Sequence, residues 1–238
     1  MHTILTGKIT FVADGTGTVG MEIVSSLLIA DATVIVPAKS INKVNRLKEK
    51  VAAIQSGKLI TFLTDYPEYD KAIEVVECME EKYGQIDLAV IVFDSPKACH
   101  SLTKLSIKDW QQMADDTINA GFVCAHVFLN SMKKRKHGMY ISISNAIELE
   151  KKSASVLKNI AISTQVELAK AFAAEVKEYG IQYHHLFIQP ATAANKNGQL
   201  IPADAGNFIV DLFGSKNADH HTLFQWLPGN ESLMEMNR

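Results

Sequence analysis

Cysteine is scarce in this chain. Only Cys78, Cys99 and Cys124 occur in 238 residues, with no C-x-x-C spacing. That argues against a disulfide framework, and free thiols in a reducing compartment lead us to expect a cytoplasmic location. No run of about twenty apolar residues appears, so no segment is expected to cross a membrane. A signal-peptide pattern is also missing from the N-terminus. Charge of one sign does not dominate, since the net charge is −2. The one basic cluster, Lys133-Lys134-Arg135-Lys136, is short. It reads as the decoration of a helix C-terminus, where cations suit the macrodipole, and no nucleic-acid partner is expected. Metal-ligand spacings are lacking as well. The histidines pair as His184-His185 and His220-His221. Neighbours on a strand face opposite ways, so neither pair chelates one ion easily, and no metal is expected.

What the chain does hold is apolar residues, 47% of the total, enough for a sizeable core in one domain spanning 1–238. The stretch that organises it runs from Ile9 to Gly20. An apolar segment ends in Asp14-Gly15-Thr16-Gly17-Thr18-Val19-Gly20 and flows into a helix-like run. Strand, glycine turn and helix in that order open a dinucleotide-binding unit. Glycines let the backbone approach a pyrophosphate, and the helix N-terminus behind them offers free N–H groups. Gly15, Thr16, Gly17, Thr18, Val19 and Gly20 are therefore the candidate cradle. Asp14 stands where the first glycine of G-x-x-G-x-x-G would fall.

Short apolar runs then alternate with helical patterns. Strands are expected at 8–13, 33–36, 59–63, 86–93, 138–144, 181–188 and 222–227, and helices at 19–30, 41–55, 68–83, 107–136, 153–179 and 203–213. This alternation predicts a Rossmann-like, doubly wound α/β fold: a seven-stranded parallel sheet with helices on both faces. Lys39 follows the second strand, where such folds read the adenosine ribose, and Arg46 lies further along the next helix. A cation there suits a 2′-phosphate, although an ordinary solvated lysine fits equally. Asp65 follows the third strand. It either accepts the adenine amino group or caps the next helix.

Read together, these features resemble the short-chain dehydrogenase/reductase family. The resemblance rests on the turn at 14–20, Asp65, Tyr83-Gly84-Gln85-Ile86-Asp87, the strand His137 to Ser144, Ala173-Ala174-Glu175-Val176, Tyr179-Gly180-Ile181, and Phe224 to Gly229. It implies NADP(H) binding, or NAD(H), and a homodimer or homotetramer built on the helices 107–136 and 153–179. It also implies a substrate lid at 191–200, which is short here. The family's catalytic positions depart from the pattern. Its Asn-Asn-Ala-Gly motif aligns with Ile91-Val92-Phe93-Asp94, and its helix asparagine falls on Thr117, with Asn119 nearby. The serine falls on Asn145, with Ser144 beside it. Its tyrosine and lysine fall on Lys158 and Ile162, or on Ala154 and Lys158 in a shifted register, and no tyrosine lies between Tyr140 and Tyr179. Without that acid, ordinary carbonyl reduction is not expected. The reading is a nucleotide-binding relative with a degenerate site. The alternative is an active NADP(H)-dependent oxidoreductase using Ser144, Asn145 and Lys158 on a carbonyl or alcohol.

Overall fold

The structure is a computed structural model, and it describes residues 5–64, 69–93, 96–145, 155–188, 202–215, 221–225 and 234–235. Strands β1 (Ile9–Ala13), β2 (Thr33–Ala38), β3 (Lys58–Leu63), β4 (Leu88–Val92), β5 (Met139–Asn145), β6 (Gln182–Ile188), β7 (His221–Gln225) and β8 (Met234–Glu235) form one sheet in the order β3-β2-β1-β4-β5-β6-β7-β8. Helices α1 (Thr18–Ile29), α2 (Ile41–Val51), α3 (Tyr69–Tyr83), α4 (Ile107–Met113), α5 (Ala120–Arg135), α6 (Val156–Val176) and α7 (Pro202–Gly214) connect them. The expected Rossmann-like parallel sheet with flanking helices is present. The expected count of seven strands is corrected. Six parallel strands, β1 to β6, make the body whose side chains are described. Strand β7 continues them in parallel, and the two-residue β8 closes the edge antiparallel to β7. A two-residue strand leaves no periodicity for a sequence to show.

Two apolar layers sandwich the sheet. Ile23, Val24 and Leu27 of α1 pack with Ile209 of α7 and Val12, Val34, Val90 and Ile141 of the strands. On the other face Val76 of α3 and Cys124, Phe128 and Met132 of α5 pack with Phe11, Ile35, Ala89 and Tyr140. Phe11 and Phe128 stand 4.8 Å apart, centroid to centroid, at a tilted angle suited to their ring quadrupoles. Neighbouring strand residues thus serve opposite layers, and this explains why the strands read as unbroken apolar runs.

The sequence predicts a single helix over 107–136, and here the structure differs. A π-helical turn, Ala114–Asn119, joins α4 to α5. Buried Thr117 donates its Oγ1 hydrogen to Met113 O at 2.5 Å. Such back-bonding competes with the regular ladder and bends it. The basic cluster also does more than decorate. Lys136 closes α5 in the left-handed conformation. Arg135 donates from Nη1 to Glu80 Oε1 at 2.8 Å, from Nε to His137 O at 2.9 Å, and from Nη2 to Ile86 O. Its side chain is 10% exposed, so it pins α5 to α3 and to the entry of β4. Replacing Arg135 with Met should leave the Glu80 carboxylate with Ser131 and the Ile86 N–H but without its cation, and lower stability by about 2–3 kcal/mol in urea unfolding, whereas Lys134→Met should change it by less than about 0.5 kcal/mol.

Candidate functional site

The sheet order reverses between β1 and β4, and ligand crevices open at such points beyond the strand C-termini. The glycine turn stands there. Gly17 N–H donates to Asp14 O at 2.9 Å, and Met21 N–H donates to Gly17 O at 2.9 Å, starting α1. A Cβ at Gly20 would lie 2.0 Å from Asp14 O, and one at Gly15 would lie 2.8 Å from Val36 Cγ1. Both glycines therefore let α1 sit directly on its own turn. Asp14 adopts φ +55°, a left-handed backbone that a side chain rarely accepts. Its carboxylate covers Gly17, where a Cβ would meet Oδ2 at 2.3 Å. Gly17 is the N-cap of α1 and, as a glycine, has no side chain of its own to cap the helix. An aspartate carboxylate thus lies against the helix N-terminus.

Two cavities flank Asp14, and Asp14 lines both. One, of about 320 Å³, is walled by Thr16, Pro37, Ala38, Lys39, Lys43 and Thr64 on one side and by Ile91, Phe93, Asp116 and Cys124 on the other. Lys39 is where the sequence led us to expect it. Arg46 does not line this cavity; Lys43, one turn earlier on α2, does. Asp65 lies outside the described residues. The second cavity, of about 130 Å³, is lined by Thr18, Val19, Val92, Phe93, Ile143, Ser144 and Ile188. The residues Thr16, Thr18 and Val19 of the turn therefore share themselves between the two. A third cavity of about 550 Å³ opens beside them, with Cys99, His100, Asp109, Met113, Asp116, Thr117 and Leu157 among its walls. Nothing in the sequence pattern marked it, because it is assembled from the stretch after β4, the π-turn and α6.

The candidate catalytic residues are only partly brought together. Ser144 ends β5 at the small cavity and is 3% exposed. Asn145 pairs with Ile188 as the last residue of the β5–β6 ladder. Lys158 sits in the first turn of α6, where its N–H reaches the N-cap hydroxyl of Ser155 at 3.4 Å. Among the described residues nothing bonds its ammonium, and it lines neither cavity beside Asp14; its neighbour Leu157 borders the third one. Ile162, one of the two positions expected for the family's lysine, is buried against Phe187 and Val166. Thr117 spends its hydroxyl on Met113 O, and Asn119 turns its amide to Asp115 Oδ1 at 2.8 Å. No cluster able to hold a metal exists among the described residues.

A functional group the sequence reading passed over is His185. It is fully buried and bridges Ser142 Oγ at Nδ1, 2.6 Å, and Ser144 Oγ at Nε2, 3.0 Å. Ser142 Oγ also lies 3.3 Å from Tyr183 OH. Burial pushes the His185 pKa down from 6.5 to about 3 and lifts the phenol of Tyr183 above its ordinary value. The imidazole is therefore neutral. The period-two alternation of β5 and β6 was the signal, since Ser142 and Ser144 share a face with His185.

The family model for short chain dehydrogenases matches residues 8–196, and the chain belongs to that family. A short chain dehydrogenase of Pseudocercospora fijiensis is 26% identical over 144 residues, 60% of this chain and 46% of that protein, so the chain spans about half the length of that relative. An uncharacterized oxidoreductase of Staphylococcus saprophyticus is 22% identical over 178 residues, 70% of this chain and 74% of the relative. Among solved structures, a metagenomic short-chain oxidoreductase in complex with NADP matches with a TM-score of 0.79 at 15% identity, covering 96% of this chain and 100% of that one. An alcohol dehydrogenase from Thermococcus sibiricus complexed with 5-hydroxy-NADP gives 0.79 at 14%, covering 92% and 95%. At these identities the likeness is one of fold.

The neutral histidine makes stability depend on pH. Its folded pKa lies below the unfolded value, so the unfolded chain binds the extra proton first. The contribution is full above about pH 6.5 and is lost as pH falls toward 3. At pH 5 the loss is on the order of 2 kcal/mol. Urea midpoints measured at pH 7.5 and pH 5 should show it, and His185→Gln should flatten the difference.

Proposed function

We propose that this chain is an NADP(H)-binding short-chain dehydrogenase/reductase relative with a degenerate active site, and that it does not carry out ordinary carbonyl reduction. The carrying observation is the pair of cavities that meet at the glycine turn, with Lys39 and Lys43 at the far end of the larger one. A dinucleotide fits this path at both ends. Two ammonium groups suit a 2′-phosphate, and the N-terminus of α1 beside Thr16 and Thr18 suits a pyrophosphate. Asp14 opposes the middle of the path. Two unit charges about 5 Å apart repel by roughly 3 kcal/mol at an effective dielectric of 20.

When bound, the nicotinamide of such a cofactor supplies hydride. The chain's own residues must then place a proton donor about 3 Å from the reacting oxygen. Lys158 lies off the Ser144 cavity, and Ile162 leaves no lysine beside it to tune a pKa. The third cavity, at about 550 Å³, is large enough for a small organic ligand, so binding without turnover is the reading we favour. We further propose a cytoplasmic homodimer or homotetramer built on α5 and α6. Phe122 of α5 is 45% exposed, stacks on His126 at 5.5 Å and meets Phe172 of α6 at 5.8 Å, an apolar patch that a second copy would cover.

Calorimetry should give tighter binding of NADPH than of NADH, and Lys39→Ala should remove most of the difference. Asp14→Gly should strengthen NADPH binding by about tenfold or more, since it removes the charge that opposes the pyrophosphate. Equal affinity for both cofactors, unchanged by either substitution, would sink the assignment.

A panel of aldehydes, ketones and quinones should elicit negligible NADPH oxidation. Robust turnover abolished by Lys158→Ala would instead establish the alternative, an active oxidoreductase with a lysine in the catalytic role. Light scattering at micromolar concentration should report a dimer or tetramer, and Phe122→Lys should shift it toward monomer.

A further inference from the structure

The buried polar row behind Ser144 has no part in the scheme above. Its members alternate along two neighbouring strands. Tyr183 and His185 stand on β6; His185 faces Ser142 of β5, and Ser144 lies two positions further along the same face of β5, opposite Phe187. The imidazole spans both serines, and the ring of Phe187 meets it edge-on at 4.7 Å, which holds its plane. The row starts in the core at Tyr183, 4% exposed, and ends at the cavity that Ser144 lines.

A row of hydroxyls and one neutral imidazole can be satisfied in only one of two directions. In the outward direction Tyr183 donates to Ser142, Ser142 donates to Nδ1, Nε2–H donates to Ser144, and the Ser144 hydrogen is left for the cavity. In the inward direction Ser144 donates to Nε2, Nδ1–H donates to Ser142, and Ser142 donates to Tyr183. The phenol hydrogen would then need another acceptor inside the core. Among the described residues the Tyr183 hydroxyl has only Ser142. A buried donor without an acceptor costs about 1–3 kcal/mol, so the outward direction wins.

We propose that Tyr183, Ser142 and His185 are positioning residues that hold the Ser144 hydroxyl as a fixed hydrogen-bond donor to the carbonyl or carboxamide oxygen of a small ligand in the cavity beside the glycine turn. The proposal deepens the binding role suggested above by placing a carbonyl group at the Ser144 cavity and not in the third cavity, and it rests on the Ser144 cavity being the ligand end of the path. It also explains why binding need not lead to reduction. Passing a proton outward along the row would leave a phenolate in the core, where burial opposes charge. Nor can the imidazole take up a proton in exchange, because burial opposes its charge as well. The row donates a hydrogen bond without donating a proton. It selects acceptors over donors, so a carbonyl compound should be held in preference to the matching alcohol.

Side-chain ¹⁵N spectra of the unmodified protein at neutral pH test the direction. His185 should show a protonated Nε2 and an unprotonated Nδ1, and Tyr183→Phe should weaken or reverse that preference. Cyclohexanone and cyclohexanol, titrated by ligand-observed NMR, test the consequence. The ketone should bind about three- to tenfold more tightly, the effect of one neutral hydrogen bond. Ser144→Ala should level the two probes, and so should Tyr183→Phe, which keeps the imidazole and the core packing if His185→Ala fails to fold. An Nδ1–H tautomer, equal affinities, or no saturable ketone binding would overturn the proposal. Absent NADPH binding with the expected tautomer and ketone preference would remove the dinucleotide reading and leave this one standing.

Discussion

The close seat of α1 on the turn that precedes it is the constraint on which the rest of the molecule depends. There is no room for a side chain at Gly20, whose Cβ would come within 2.7 Å of Gly15 Cα as well as meeting Asp14 O. That contact aims the helix N-terminus at the crevice between β1 and β4. It also sets the height of α1 over the sheet, where Ile23 and Leu27 reach Val12 and Val90. The far side of α1 is held as closely. Gly206 of α7 leaves only 2.4 Å between a would-be Cβ and Ser26 Oγ, and Ser26 donates to Asn207 Oδ1. Two helices and the turn thus form one rigid seat, and both cavities beside Asp14 inherit their shape from it.

Asp14 is the place where fold and ligand make opposing demands. A glycine would take the left-handed backbone without strain and leave the helix N-terminus open. The aspartate accepts the strain and sets a carboxylate against Gly17, where the helix dipole favours negative charge. That placement helps the folded chain and hinders an incoming anion. The row behind Ser144 shows a similar division. His185 is neutral because it is buried, and it is tolerated there because both ring nitrogens have hydroxyl partners. The same burial that makes the row a rigid scaffold makes it a poor source of protons.

Much of the architecture was legible before any coordinates. The alternation of apolar runs and helical patterns reflects strands buried on both faces, and the strand–glycine–helix order of 9–20 reflects a backbone that only glycine permits. These are local signals, carried by neighbouring residues. The π-turn between α4 and α5 was not legible, because the hydroxyl of Thr117 competes with the backbone only once its helix is pressed into the core. The antiparallel β8 was missed for want of length. Lys43 was overlooked in favour of Arg46 because only the orientation of α2 decides which cation reaches the cavity.

By itself the sequence determined the family, the parallel sheet, the glycine turn at Gly15, Gly17 and Gly20, and the absence of any tyrosine between Tyr140 and Tyr179, because each is a matter of residue type at a set spacing along the chain. Tertiary structure alone decided that Ile162 is core, that Lys158 stands away from the Ser144 cavity, that the Asp14 carboxylate folds over Gly17, and that His185 links Ser142 to Ser144. Those facts depend on the register of β5 against β6 and on the height of helices over the sheet. Residues some forty positions apart acquire such a relation only when the chain is packed.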